Sequence, residues 1–244
     1  MNCKICNKPI RERFRHLVLN KHEVKYYYCP DCVFLQTEEP YWLDEAYVEP
    51  IDNSDTGYVS RNIYLARRTL TLFLALFSSQ KTFLDYAGGY GVLTRLMRDY
   101  GLDFLWSDLY TQNLFAPGFE YHDQKIEAIT CFECFEHFVS PVEDLNKLLK
   151  ISRNIFFSTQ LLATPLPSPE AWDYYGFKHG QHLSFYSSQT LNILARKNNL
   201  NYYSDGKNLH LFTDKKVSKL YFKLIIIISR LPLEFLFKRI LGSK

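Results

Sequence analysis

Residues 82–91 read Thr82-Phe83-Leu84-Asp85-Tyr86-Ala87-Gly88-Gly89-Tyr90-Gly91. The first four form a short apolar run that closes on an acid, the pattern of a buried strand. Residues 85–91 hold three glycines, the composition of a tight turn. Beyond it, Val92, Leu93, Leu96, Met97 and Tyr100 recur at helical spacing. A strand, a glycine turn and a helix in that order predict the nucleotide-cofactor corner of a doubly wound α/β sheet. Glycine lets a ligand approach backbone that a Cβ would shield.

The turn is not a dinucleotide fingerprint, because Thr94 stands where the third glycine would be, and no P-loop lysine follows. A carboxylate in the corner repels a pyrophosphate but attracts a cationic amino-acid group. Asp108 closes the next apolar run, 104–106, at the position that suits two hydrogen bonds from a ribose diol. Asp85, Ala87, Gly89 and Gly91, with Asp108 after them, resemble the motif of class I S-adenosylmethionine-dependent methyltransferases. The resemblance implies a Rossmann-like α/β sheet with helices on both faces and S-adenosylmethionine as cofactor. It implies that Asp85, Ala87, Gly89 and Gly91 hold the methionine end, that Asp108 holds the ribose, and that Glu133 lies beside the cofactor. Ala87 replaces a glycine of that motif, so φ is expected to stay negative there.

At 244 residues the chain can bury one good core plus a small appendage. An apolar content of 47% against 23% charged residues excludes disorder. A net charge of +3 argues against a large nucleic-acid footprint. Residues 1–10 are polar and carry two cysteines, which is not a secretory leader. A cytoplasmic protein is expected, including one peripheral to the inner face of the membrane. Cys3 and Cys6, then Cys29 and Cys32, are two CxxC knuckles separated by 22 residues. That spacing predicts a structural zinc ribbon with four thiolate ligands and no open position. Cys131 and Cys134 are read as buried free thiols.

The predicted organisation is a zinc ribbon at 1–37, a linker at 38–57, a methyltransferase domain at 58–213 and an apolar, basic helical segment at 214–244. Within the third part, a helix is expected at 58–77, strands at 119–122, 127–132 and 154–158, and a helix at 141–149. Ser187 should cap a helix running to Lys197, and two strands at 201–205 and 208–212 should close the sheet. The apolar run within 215–241 is broken by charge and by Pro232, which excludes a spanning helix. It suits peripheral membrane contact or dimerisation instead.

Glu133, Glu136 and His137 form an ExxEH arrangement at the end of a strand, where ligands bind in open α/β sheets. His182 sits in a loop rich in Gly, Trp and Tyr. His137 and His182 are candidate bases, with His182 the better placed and Glu136 alongside; a base with pKa near 7 suits removal of an acceptor proton. The motif resembles that of RNA-terminal 2′-O-methyltransferases and ubiquinone-pathway O-methyltransferases. That resemblance implies a candidate divalent-metal site at Glu133, Glu136, His137 and His182, beside the metal-free reading in which Glu136 and His137 cap the next helix and line the pocket. The cysteine module and the 172–186 segment resemble bacterial sugar- and polysaccharide-associated methyltransferases, which implies a small carbohydrate acceptor such as a sugar nucleotide. Two alternatives stand beside this reading: an RNA methyltransferase that uses the ribbon for RNA, and a non-catalytic, membrane-associated scaffold.

Overall fold

The structure, a computed structural model, describes residues 1–48 and 56–231. The expected linker and C-terminal segment therefore lie partly outside the described residues. The chain begins with β1 (Arg11–Val18), β2 (His22–Cys29) and β3 (Phe34–Thr37), then a single turn α1 (Leu43–Ala46). There follow α2 (Tyr58–Leu76), β4 (Thr82–Tyr86), α3 (Val92–Asp99), β5 (Asp103–Ser107) and β6 (Ala128–Cys131). Next come α4 (Pro141–Ile151), β7 (Ile155–Ser158), β8 (Ser184–Tyr186), α5 (Ser188–Lys197), β9 (Asn201–Ser204), β10 (Leu209–Thr213) and α6 (Lys219–Ile228).

Two sheets organise these elements. The larger has the order β5-β4-β6-β7-β10-β9, parallel through β7 and antiparallel at β10 and β9. Alternation along each strand assigns its two faces. Phe83 of β4 points toward α2, α3 and α6, while Leu84 points toward α4 and α5. On the first face Phe73 of α2 packs against Phe77, Phe83, Phe104 and Phe156. Truncating such a buried ring costs about 3–5 kcal/mol. Ser187 caps α5 as expected: its hydroxyl accepts from Thr190 N, and the Thr190 hydroxyl accepts from Ser187 N.

The expected strand at 119–122 is a single parallel bridge between Trp106 and Glu120. Trp106 N donates to Phe119 O and Tyr121 N to Trp106 O, but Pro117 and Gly118 bring the chain in too sharply for a longer ladder.

The second sheet joins distant parts of the chain. It runs β1-β2-β3-β8, so its fourth strand comes from the far end of the chain. The cysteine ribbon is therefore no independent appendage. Cys3, Ile5, Cys29, Cys32 and Phe34 are buried in one core with Leu84, Ile129 and Phe157 of the large sheet. The start of α5 clamps the second knuckle, with Thr190 Oγ1 donating to Cys32 O at 2.8 Å and to Val33 O at 2.9 Å. This pairing escapes sequence reading because three residues at 184–186 have no period of their own. Among the described residues no helix is long and apolar enough to cross a membrane.

Candidate active site

The carboxyl ends of β4, β5 and β6 open on one cavity of about 780 Å³. Ligands bind at these ends in open α/β sheets because the loops diverge there and leave backbone donors unpaired. α2 closes one side with Tyr58, Arg61, Asn62 and Leu65.

The glycine turn forms the floor. Asp85 is 2% exposed and accepts hydrogen bonds from Thr130 Oγ1 at 2.8 Å and Thr94 Oγ1 at 3.1 Å. Thr94, the residue that breaks the dinucleotide pattern, thus has its own part here. Burial pushes the Asp85 carboxyl up to about 7, against those two hydroxyls. Asp108 staples the turn: Oδ2 accepts from Gly89 N at 3.0 Å, and Oδ1 accepts from Tyr110 N and Thr111 N at 2.8 and 2.9 Å. Gly89 O in turn accepts from Trp106 Nε1 and Thr111 Oγ1.

Two turn positions differ from the sequence expectation. Ala87 adopts a left-handed φ of 56°, where a negative value was expected. The turn's hydrogen bonds hold a conformation that costs an L-residue about 1–2 kcal/mol. Gly91 is also left-handed, but it does not line the cavity; a Cβ there would meet Asn113 Oδ1 and Ala116. Ala87, Gly88 and Gly89 line it instead. At Gly88 a Cβ would sit 2.8 Å from both Asp85 Oδ2 and Trp106 Cδ1. Motif spacing alone did not single out Gly88.

The opposite wall is built by the Phe135–His137 turn and the 179–182 loop. Leu183 N donates to Glu136 O, Ser184 Oγ to Phe138 O and Tyr186 Oη to Phe135 O. These bonds tie β8 to that turn and bring residues 46 to 51 positions apart side by side. Glu136, His137 and His182 each offer a ligand atom, and those atoms all lie within 4.8 Å of one another. Glu133 is not in this cluster. It is exposed on the cavity rim with a left-handed φ of 49°, and Ser158 Oγ donates to its carboxylate at 2.5 Å.

His182 Nδ1 lies 2.6 Å from Tyr174 O. A carbonyl only accepts, so Nδ1 carries the hydrogen and Nε2 keeps its lone pair. Tyr47, brought in from the segment after α1, places its hydroxyl 2.7 Å from His137 Nδ1 and stacks on Tyr110 at 4.5 Å. Sequence reading gave Tyr47 no specific role, because the segment around it has no period. Burial and the neighbouring histidines push His182 well below the ordinary histidine range, and burial pushes His137 down to about 3. Both shifts carry the rings away from the value near 7 that suits a base. Glu136 goes the other way, up to about 8, through burial and the charge of Glu133, although the Tyr174 and Thr159 hydroxyls oppose this. Neither Glu136 oxygen has a hydrogen-bond partner of good geometry among the described residues.

The four ribbon cysteines form a second cluster, away from the cavity lining. Cys3 and Cys32 sulfurs are 3.4 Å apart, and those of Cys6 and Cys29 are 3.5 Å apart. Zinc–thiolate bonds of about 2.3 Å in a tetrahedron put sulfurs roughly 3.8 Å apart, close to what is seen. The hydrogen bond from Cys32 pulls the Cys3 thiol down to about 5. Cys131 is buried as expected, whereas Cys134 is half-buried and reaches the cavity.

Comparison with known proteins bears on this site. A family model described as a methyltransferase domain matches residues 58–205, more than half of the chain. No curated protein matches the sequence. Among solved structures, a Burkholderia thailandensis 1,6-didemethyltoxoflavin-N1-methyltransferase, with 1,6-didemethyltoxoflavin and S-adenosylhomocysteine bound, aligns with a TM-score of 0.52 at 13% identity. That alignment covers 82% of this chain and 97% of the other. CalO1, a methyltransferase of calicheamicin biosynthesis with S-adenosylhomocysteine bound, aligns with a TM-score of 0.50 at 14% identity over 72% of this chain. The match spans 60% of the CalO1 chain.

Proposed function

The chain belongs to the methyltransferase-domain family, and from that premise we propose that it transfers a methyl group from S-adenosylmethionine to a small polar acceptor, a sugar or sugar nucleotide. One observation carries this reading. A single cavity has the glycine turn and Asp108 on one side and the paired histidines on the other. The toxoflavin-pathway neighbour, which holds S-adenosylhomocysteine and 1,6-didemethyltoxoflavin together, supports a small-molecule acceptor. For a carbohydrate the support is the polar wall of Glu143, Lys147, His179, Gln181 and His182, which offers donors and acceptors for several hydroxyls.

S-adenosylmethionine, when bound, supplies an electrophilic methyl carbon. Gly88 and Gly89 keep the floor low enough for its methionine end, and Asp85 presents a carboxyl whose ionisation favours a nearby ammonium. Asp108 is held rigid by three backbone N–H groups and retains lone pairs for a ribose diol. Much of the acceleration in such a displacement comes from alignment, which a stiff floor and wall provide. His182 takes the acceptor proton at Nε2, with His137 and Glu136 behind it. Because burial disfavours its charged form, it serves acceptors whose proton is already polarised.

The same cluster fits a divalent cation. The two oxygens of buried Glu136, which lack a hydrogen bond of good geometry among the described residues, are the donors such an ion would satisfy, and His137 and His182 each have Nδ1 engaged and Nε2 available. Glu136, His137 and His182 would hold it, and it would supply Lewis-acid polarisation of an acceptor oxygen. The four cysteines are assigned to a structural zinc ion, on the sulfur spacing above.

The test is calorimetric titration with S-adenosylmethionine and S-adenosylhomocysteine, followed by methyl-transfer assays on a panel of sugar nucleotides. Micromolar binding of both is expected, and His182→Ala should abolish turnover while leaving S-adenosylhomocysteine binding intact. A folded sample that binds neither ligand refutes the cofactor assignment. Unchanged turnover after verified loss of any cavity metal refutes the divalent-cation reading alone.

A further inference from the structure

α6 carries two apolar faces, and the fold uses one. Phe222, Ile225, Ile226 and Ser229 are buried against the large sheet's helical layer. Arg68 of α2 locks the helix in place, donating through Nη1 to Ile226 O and Ser229 Oγ, both at 2.8 Å. It thereby satisfies a carbonyl at the helix end, where a cation is favoured. The helix is thus a fixed part of the surface.

The other face is exposed. Leu220, Leu224 and Ile227, with Leu231 just beyond the helix, are 79%, 49%, 58% and 53% exposed. Their spacing of four, three and four residues makes one continuous stripe, about 16 Å long at helical rise. Lys219, Lys223 and Arg230 run along one flank of that stripe, with Lys216 just before the helix. All four cations are exposed, and none makes an ion pair among the described residues. Residues 215–231 contain no acid.

We infer that α6 docks this protein on an anionic lipid surface through that stripe. An apolar row flanked by unpaired cations matches a bilayer interface, where acyl chains take the leucines and isoleucine and phosphate headgroups take the lysines and arginine. A second copy of the chain is a poorer occupant. Two such faces packed antiparallel about a two-fold axis would set cations against cations with no acid in residues 215–231 to relieve them. The inference is independent of the methyl acceptor, and its failure leaves the catalytic reading untouched.

Co-sedimentation of the full chain with vesicles tests it. Binding is expected to equimolar phosphatidylglycerol and phosphatidylcholine, to be much weaker to phosphatidylcholine alone, and to decline as salt is raised. At about fivefold per cation, the combined Lys219→Gln, Lys223→Gln, Arg230→Gln variant should lose about a hundredfold in partitioning. The combined Leu220→Ser, Leu224→Ser, Ile227→Ser variant should lose more than tenfold at an unchanged melting temperature, because these side chains are not part of the packed core. Absence of vesicle binding by the native chain overturns the inference, as does equal binding by the native chain and the serine variant. A native dimer that the serine substitutions dissociate, with no vesicle binding, overturns it in favour of self-association.

Discussion

Gly88→Ala tests the glycine floor most directly. Gly88 is not among the left-handed glycines, so alanine adopts its backbone without strain and only the added methyl group matters. That Cβ would stand 2.8 Å from Asp85 Oδ2 and 2.8 Å from Trp106 Cδ1. Ordinary contact begins near 3.4 Å, so each neighbour must retreat by about 0.6 Å. Neither can do so freely. Asp85 is held by Thr94 and Thr130, and Trp106 by the 2.9 Å bond from Nε1 to Gly89 O. Overpacking of this kind costs about 1–3 kcal/mol. For a chain of this size that lowers the melting temperature by roughly 2–12 °C. The same shift displaces the carboxylate and the turn carbonyl that define the floor. Losing one hydrogen bond to a charged group costs about 1.5–3 kcal/mol, or roughly 10- to 150-fold in affinity. Calorimetric titration with S-adenosylhomocysteine and a thermal melt on the same sample read both effects. Gly206→Ala is the control: φ there is +80° but no atom lies within 4 Å of its Cβ, so it should cost about 1 kcal/mol without weakening binding. If Gly88→Ala binds S-adenosylhomocysteine within twofold of the native chain, the floor is not where the ligand sits.

Three further expectations follow from the same geometry. Ala87→Gly should leave stability unchanged or raise it by up to about 1 kcal/mol, because relief of the left-handed strain at φ 56° outweighs or balances the added chain entropy; a loss above 1 kcal/mol in denaturant melts would contradict the conformation. Burial raises Asp85 to about 7, so its contribution to stability is full below about 4 and is lost as pH rises through 7, while its affinity for a cationic ligand grows over the same interval. The dissociation constant of S-adenosylmethionine should therefore fall by up to about tenfold per unit between pH 5 and 7, and Asp85→Asn should flatten that dependence. Removal of zinc, or Cys29→Ser, should loosen β8 through its pairing with β3 and the Thr190 bonds to Cys32 and Val33. Hydrogen exchange at residues 183–186 should then quicken more than at residues 82–86; equal protection with and without metal would show that the ribbon does not support the histidine wall.

The α/β corner was legible in the sequence because its determinants are local. A strand, a turn and a helix follow one another within 20 residues, and Asp85, Gly89 and Asp108 fall where the backbone has only a few ways to run. The cysteine knuckles were legible for the same reason: each CxxC turn is set by four adjacent residues. Helices at 58–76 and 188–197 showed through their apolar period and, for the second, through the Ser187 cap. What lay beyond reach is non-local. Three residues of β8 complete the ribbon's sheet, and this joins the cysteine cluster to the wall of the candidate site. Tyr47 reaches His137 across 90 positions, and Glu133 leaves the ExxEH cluster because Ser158 holds it on the rim. The ionisation of the site belongs to the same class. A histidine or glutamate has one intrinsic pKa in the sequence, and the depth at which the fold buries it, with the charges set beside it, decides that His137 falls and Glu136 rises.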